Sequence, residues 1–131
     1  MKASVLIPPL AALALAACIA QDRPDERPAV SPAARVVGTP QSCIPLAQLR
    51  ETRIRDDWTI DFIGTGNRAW RNTLTARCGA LRANDGITYE TSLTQLCNTD
   101  IVYALQRLGG GPPERGAACS LGQFVPVELE R

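Results

Sequence analysis

Three carboxylates fall close together in the chain: Asp56, Asp57 and Asp61. Paired carboxylates can work as general acid and base, flank a glycosidic bond, or bind a hard cation such as Ca²⁺. Asp56 and Asp57 are adjacent, however, and stand between Ile54 and Trp58, where an Asp side chain that bonds its own backbone would make a turn. The turn is the preferred reading, with Asp56, Asp57 and Asp61 kept as a candidate polar or cation site. Asp61 is expected on the polar face of a strand, beside Arg71 across a hairpin, as an exposed pair worth at most about 1 kcal/mol. The chain has no histidine, which removes Ser-His-Asp and Cys-His catalysis and every His-ligated metal site. Ser120 therefore has no base partner. Gly109-Gly110-Gly111 runs into Pro112-Pro113 rather than a helix start with a lysine, so it reads as a loop and not as a phosphate cradle. No catalytic residue, metal or cofactor is assigned, and the chain is read as a non-enzyme. Trp58, Trp70, Tyr89, Tyr103 and Phe124 read as core. The exception is Trp70, which, flanked by Arg68 and Arg71, is placed to stack on a glycan, a peptide or a base.

The 131 residues are 45% hydrophobic and 21% charged, enough for one small domain with extensions. Lys2 is the only lysine. From Cys18 onward 13 arginines face 13 acids, so the side chains sum to zero. A balanced chain gives no electrostatic case for nucleic acid, which needs a clustered cationic face.

The first residues read as an address. Lys2 is followed by an apolar run, Ala3 to Ala17. As a helix that run would rise only about 22 Å, short of the roughly 30 Å hydrocarbon core, and Pro8-Pro9 interrupts it. A secretory signal peptide fits better than a membrane span. The run closes in Leu15-Ala16-Ala17-Cys18, which resembles the lipobox of bacterial lipoproteins. The resemblance implies a diacylglyceryl group, palmitate-like in its chains, on the Cys18 thiol, and cleavage that leaves Cys18 first. Ile19, where an aspartate would favour inner-membrane retention, implies the outer membrane, facing the periplasm. The alternative is a soluble periplasmic protein cut after Ala20. Residues 18–40 carry recurrent prolines and mixed charge, and read as a disordered tether with too little apolar area to offset its ordering entropy.

Residues 41–131 form the expected folded part. Its four cysteines, Cys43, Cys78, Cys97 and Cys119, are an even count in an exported chain and imply two disulfides. Three pairings exist. The preferred one joins Cys78 to Cys97 across a short loop and Cys43 to Cys119 at the domain ends, each bridge contributing roughly 3 to 4.5 kcal/mol.

Most of the periodicity is two. Trp58, Ile60 and Phe62 alternate with Thr59 and Asp61; Gly64-Thr65-Gly66-Asn67 is a turn; Arg68 to Thr73 alternates again. Together these predict a hairpin. Further strands are expected at Ile87–Thr91, at Asp100–Leu108 covered on both faces, and at Phe124–Leu129 on an edge, because Pro126 lacks a ladder donor. Helical turns are expected at Pro45–Arg50 and, from the capping box Ser92-Leu93-Thr94-Gln95, just before Cys97. The predicted fold is mainly β, a small antiparallel sheet or partly open barrel with one or two helical turns and two disulfides.

Several short stretches also resemble a family of short bacterial lipoproteins built on a domain of unknown function. They are Cys43 with Leu49 and Arg53; Asp56-Asp57 before an Ile-rich strand; Arg71-Asn72-x-Leu74; Cys78 with Leu81; Tyr89; Leu96-Cys97 with Asp100-Ile101; and Cys119-Ser120-Leu121-Gly122-Gln123-Phe124-x-Pro126. The resemblance covers about 41–126 and brings no activity with it. The functional expectation is an outer-membrane lipoprotein that serves as a binding or assembly accessory to an envelope partner. Two alternatives stand beside it. One is an exported, disulfide-stapled inhibitor or ligand-binding module presenting loop 109–117; the other is a carboxylate-dependent hydrolase.

Overall fold

The computed structural model describes residues 27, 29–91 and 93–131. Its centre is the expected hairpin: β4 (Thr59–Ile63) and β5 (Arg68–Thr73) pair antiparallel, with Ile60 opposite Asn72 and Phe62 opposite Trp70. The turn closes through Gly64 N–H to Arg68 O, and Gly66 supplies a φ of 69°. β3 (Glu51–Ile54) adds to β4, and β10 (Phe124–Leu129) adds to the other side of β5.

The fifth strand of this sheet comes from the segment read as a tether. β1 (Ala34–Val36) pairs with β10, giving the order β1-β10-β5-β4-β3. Ala33 O, Val37 N–H and Gln41 continue the bonding to Glu130, Pro126 and Phe124, and Arg35 forms an ion pair with Glu128. The boundary at residue 41 is therefore corrected: chain from about Pro32 onward belongs to the domain. The edge placement of Phe124–Leu129 falls with it. Pro126 sits inside the sheet because its missing N–H faces the stretch between Val37 and Gln41, where the neighbouring chain makes no demand on a donor.

Two smaller sheets complete the fold. β2 (Cys43–Pro45) pairs with β7 (Gln95–Cys97). β6 (Ile87–Tyr89), β8 (Ile101–Gln106) and β9 (Glu114–Ser120) make an antiparallel triplet. The predicted turn after Pro45 is a single 3-10 turn, Leu46–Gln48. The capping-box turn does not form. Ser92 lies outside the described residues, and Gln95–Cys97 extends as β7, because pairing with β2 outweighs a weak local signal. One short helix, α1 (Ala80–Asn84), went unpredicted; it ends at Asp85 in the left-handed region. β8 is covered on one face only: Val102 and Ala104 are buried, whereas Ile101 is exposed.

The core draws on all three sheets: Ile44, Ile60, Phe62, Leu81, Leu96, Val102 and Phe124 are among its fully buried members. Phe62 and Phe124 meet edge to face at 5.4 Å between centroids. Of the other large aromatics, Trp58, Trp70, Tyr89 and Tyr103 are only half-buried.

Both disulfides form, with pairings other than the preferred ones: Cys43–Cys97 and Cys78–Cys119. Strand adjacency decides this. Ile44 and Leu96 go to the core as a cross-strand pair, which sets Cys43 directly opposite Cys97. The bridges span 54 and 41 residues and interleave along the chain, so each closes a long loop worth roughly 4 kcal/mol in the chain-entropy model.

Candidate functional site

The three carboxylates are taken up separately. Asp56 Oδ1 accepts the Trp58 N–H at 2.7 Å, the Asx turn that joins β3 to β4. Asp57 Oδ2 pairs with Arg77, while its Oδ1 is buried without a hydrogen-bond partner among the described residues. Asp61 is where the structure departs most from expectation. It is fully buried, with a side-chain exposure of 0%, not on a solvated face. Arg71 grips it with two bonds, Nε to Oδ1 at 2.8 Å and Nη2 to Oδ2 at 2.9 Å, and Arg55 Nε donates to Oδ2 at 2.7 Å. The same Arg71 Nη2 donates to the Pro32 carbonyl at 2.9 Å. The expected partner was right and the expected environment was wrong. The polar side of β4 is sealed, since Thr59 is buried as well.

This buried carboxylate accepts three hydrogen bonds, all from guanidiniums, and is enclosed away from solvent. The arrangement positions the hairpin and the incoming Pro32 segment. The sequence signal for Arg55 was present, as Asp56-Asp57 makes a turn that folds Arg55 back beside Thr59, but alternation alone did not identify it. Among the described residues no group of three or more His, Cys, Asp or Glu side chains is placed to hold a metal ion.

The loop assigned to an inhibitor is shorter than expected. Its second half, from Glu114, is β9, and only 107–113 connects the strands, with Gly109 and Gly110 at positive φ.

The exception predicted among the aromatics does line a concavity. Trp70 packs against the core on one side and on the other borders two adjoining clefts, of about 340 Å³ and 230 Å³, that share Gln48, Arg68 and Trp70. The larger is walled by Val37, Pro45 and Pro126, with Gln41 at its rim; the smaller reaches Gly64 and Thr65. Gly64 fixes the ring: a Cβ there would stand 3.3 Å from Trp70 Cζ3. Arg71, the other flanking arginine, points to the opposite face and is occupied by Asp61.

A second built feature joins two of the motif segments. Asn72, fully buried, donates from Nδ2 to Gly122 O at 2.7 Å and accepts the Gly122 N–H at Oδ1 at 2.9 Å. A Cβ at Gly122 would fall 2.1 Å from Thr73 O, so only glycine fits this close approach. The clamp steers the chain from β9 into β10.

Cys18, the expected signal segment 1–17 and most of the first part of the expected tether lie outside the described residues. Among the described residues no helix is long and apolar enough to cross a membrane. No family model, no curated protein and no solved structure matches the chain.

Proposed function

We propose that this protein is an envelope lipoprotein, fastened through Cys18 to the outer membrane on its periplasmic side, and that it works there as a non-enzymatic binding or assembly accessory. The observation that carries the reading is Leu15-Ala16-Ala17-Cys18 at the close of an apolar run too short to span a bilayer. Two further features support it. The domain is tied by two disulfides between segments far apart in the chain, a construction suited to an oxidising compartment. The three carboxylates weighed for a hydrolase each have an oxygen engaged by backbone or arginine, which counts against the hydrolase alternative. Of the two remaining roles, ligand binding draws more support than inhibition, because a cleft surrounds Trp70 while the loop offered to an enzyme is half strand.

The test is fractionation with lipid labelling in the native host. The wild-type protein is expected in the outer-membrane fraction and marked by an alkyne-palmitate probe. Cys18→Ser should be unlabelled and released. A wild-type protein that takes no label, or a Cys18→Ser variant retained as before, overturns the anchor.

A further inference from the structure

A cleft binds what its lining leaves unsatisfied, and around Trp70 an apolar wall carries several exposed polar side chains. Arg68, Gln41, Gln48 and Thr65 are all exposed. Among the described residues none of their side chains makes a hydrogen bond or an ion pair. This sets Arg68 apart from Arg35, Arg53, Arg55, Arg71, Arg77 and Arg115, each of which is ion-paired. Its cross-strand neighbour Glu128 is already taken by Arg35.

We propose that the Trp70 cleft is a saccharide subsite, and that its ligand is an N-acetylated amino-sugar glycan bearing a carboxylate. The argument is one of matched surfaces. A pyranose ring has an apolar C–H face and a polar rim, so it asks for one flat apolar platform with planar donors and acceptors beside it. Trp70 is that platform, held at a fixed tilt by Gly64 and backed by the core. The amides of Gln41 and Gln48 each offer both a donor and an acceptor, which is what hydroxyl and acetamido groups require. The clefts are of the size that accepts one or two sugar rings. Among the described residues Arg68 is the only charged side chain lining either of them and makes no ion pair, and such a guanidinium selects a carboxylate. A proline-rich peptide would need several parallel aromatic ridges, and this surface has one ring. The proposal rests on the envelope reading for its choice of a wall-type glycan, but the site itself is independent of the anchor.

The experiment titrates the full-length protein in detergent with the N-acetylglucosaminyl–N-acetylmuramyl disaccharide, and with N,N′-diacetylchitobiose (below, chitobiose) as the uncharged counterpart. The two indole N–H signals are followed by NMR. Binding is expected to move the Trp70 signal and leave Trp58 in place, with the carboxylated sugar about tenfold tighter than chitobiose. Arg68→Gln should remove that preference, and Gln48→Ala should weaken both sugars severalfold. Both positions are exposed, so these variants fold. Trp70→Phe keeps a ring in the core and should weaken binding about tenfold or more. No shift with either sugar up to millimolar concentration, a shift confined to Trp58, or full affinity in both Arg68→Gln and Gln48→Ala would overturn the subsite. Equal affinity for the two sugars would overturn the carboxylate. Membrane retention of Cys18 is read separately, so a failed titration with the anchor intact sinks the glycan alone.

Discussion

Arg68 and Arg71 lie three residues apart on one strand, and the molecule uses them in opposite ways. Arg71 is nearly covered, with a side-chain exposure of 14%, and spends its donors on Asp61 and the Pro32 carbonyl. Arg68 is exposed at the rim of a cleft and, among the described residues, makes no ion pair. An odd separation on a strand sends two side chains to opposite faces, so the same residue type becomes structural on one side and available on the other. The lesson concerns what surrounds a charge. A guanidinium enclosed with its partner fixes the fold, whereas one left in water is free to meet a ligand.

The contrast breaks most sharply at Asp61. Asp61→Ala leaves two enclosed arginines without a counter-charge and should cost roughly 3 to 5 kcal/mol. For a domain of this size that lowers the melting temperature by more than about 10 °C, checked by differential scanning calorimetry; a shift within about 2 °C would mean that Asp61 is not enclosed in solution. Removing the Cys43–Cys97 bridge with a double serine variant should cost roughly 2 to 5 kcal/mol, read from urea denaturation. Mass mapping under non-reducing conditions should return Cys43–Cys97 and Cys78–Cys119 and no other linkage. Gly122→Ala drives a methyl into Thr73 O and strains the Asn72 clamp, and should cost about 1 to 3 kcal/mol. Arg68→Gln supplies the other side of the contrast: its melting temperature should stay within about 2 °C of wild type, since an exposed substitution without partners moves stability by less than about 0.5 kcal/mol.

The smallest effect belongs to an exposed pair. Arg53 hydrogen-bonds Glu51 and holds its carboxyl below the usual glutamate range, while Glu51 raises the Arg53 guanidinium in return. A lowered carboxyl contributes stability above the unfolded-state value and loses it as pH falls through the folded one. Arg53→Gln should let Glu51 titrate closer to its ordinary value by NMR. An unchanged titration would mean that the pair is not populated in water.

Sequence reasoning reached the hairpin because Trp58 to Phe62 and Arg68 to Thr73 alternate cleanly around a glycine-rich turn. It reached the Asx turn at Asp56 for an equally local reason. What it missed was decided elsewhere in the chain. β1 is only three residues, Ala-Arg-Val, too short for its alternation to stand out, and exists because β10 offers it an edge. β9 reads Glu-Arg-Gly-Ala-Ala-Cys-Ser, with no β-branched or aromatic residue, and is a strand because β8 lies beside it. The disulfide pairing followed strand neighbours that no spacing rule encodes. At the candidate site, Trp70 with Arg68 was legible from composition, whereas Gln41 and Gln48 were not, since they come from the β1–β2 connection and the 3-10 turn. Asp61 looked solvated because alternation tells which face a residue takes and not what covers that face.

The Pro32 carbonyl held by Arg71 has a mechanical corollary. If Cys18 is lipidated, the chain between it and Pro32 is 14 residue steps, which cannot stretch beyond about 50 Å. Any tug along that leash meets Arg27, stacked over Trp58, and then Pro32, where it passes into the guanidinium of Arg71 and is resisted by a carboxylate locked between strands. The buried charge is then a mooring cleat as well as a rivet, and the body it secures is confined to a shallow layer above the lipid headgroups.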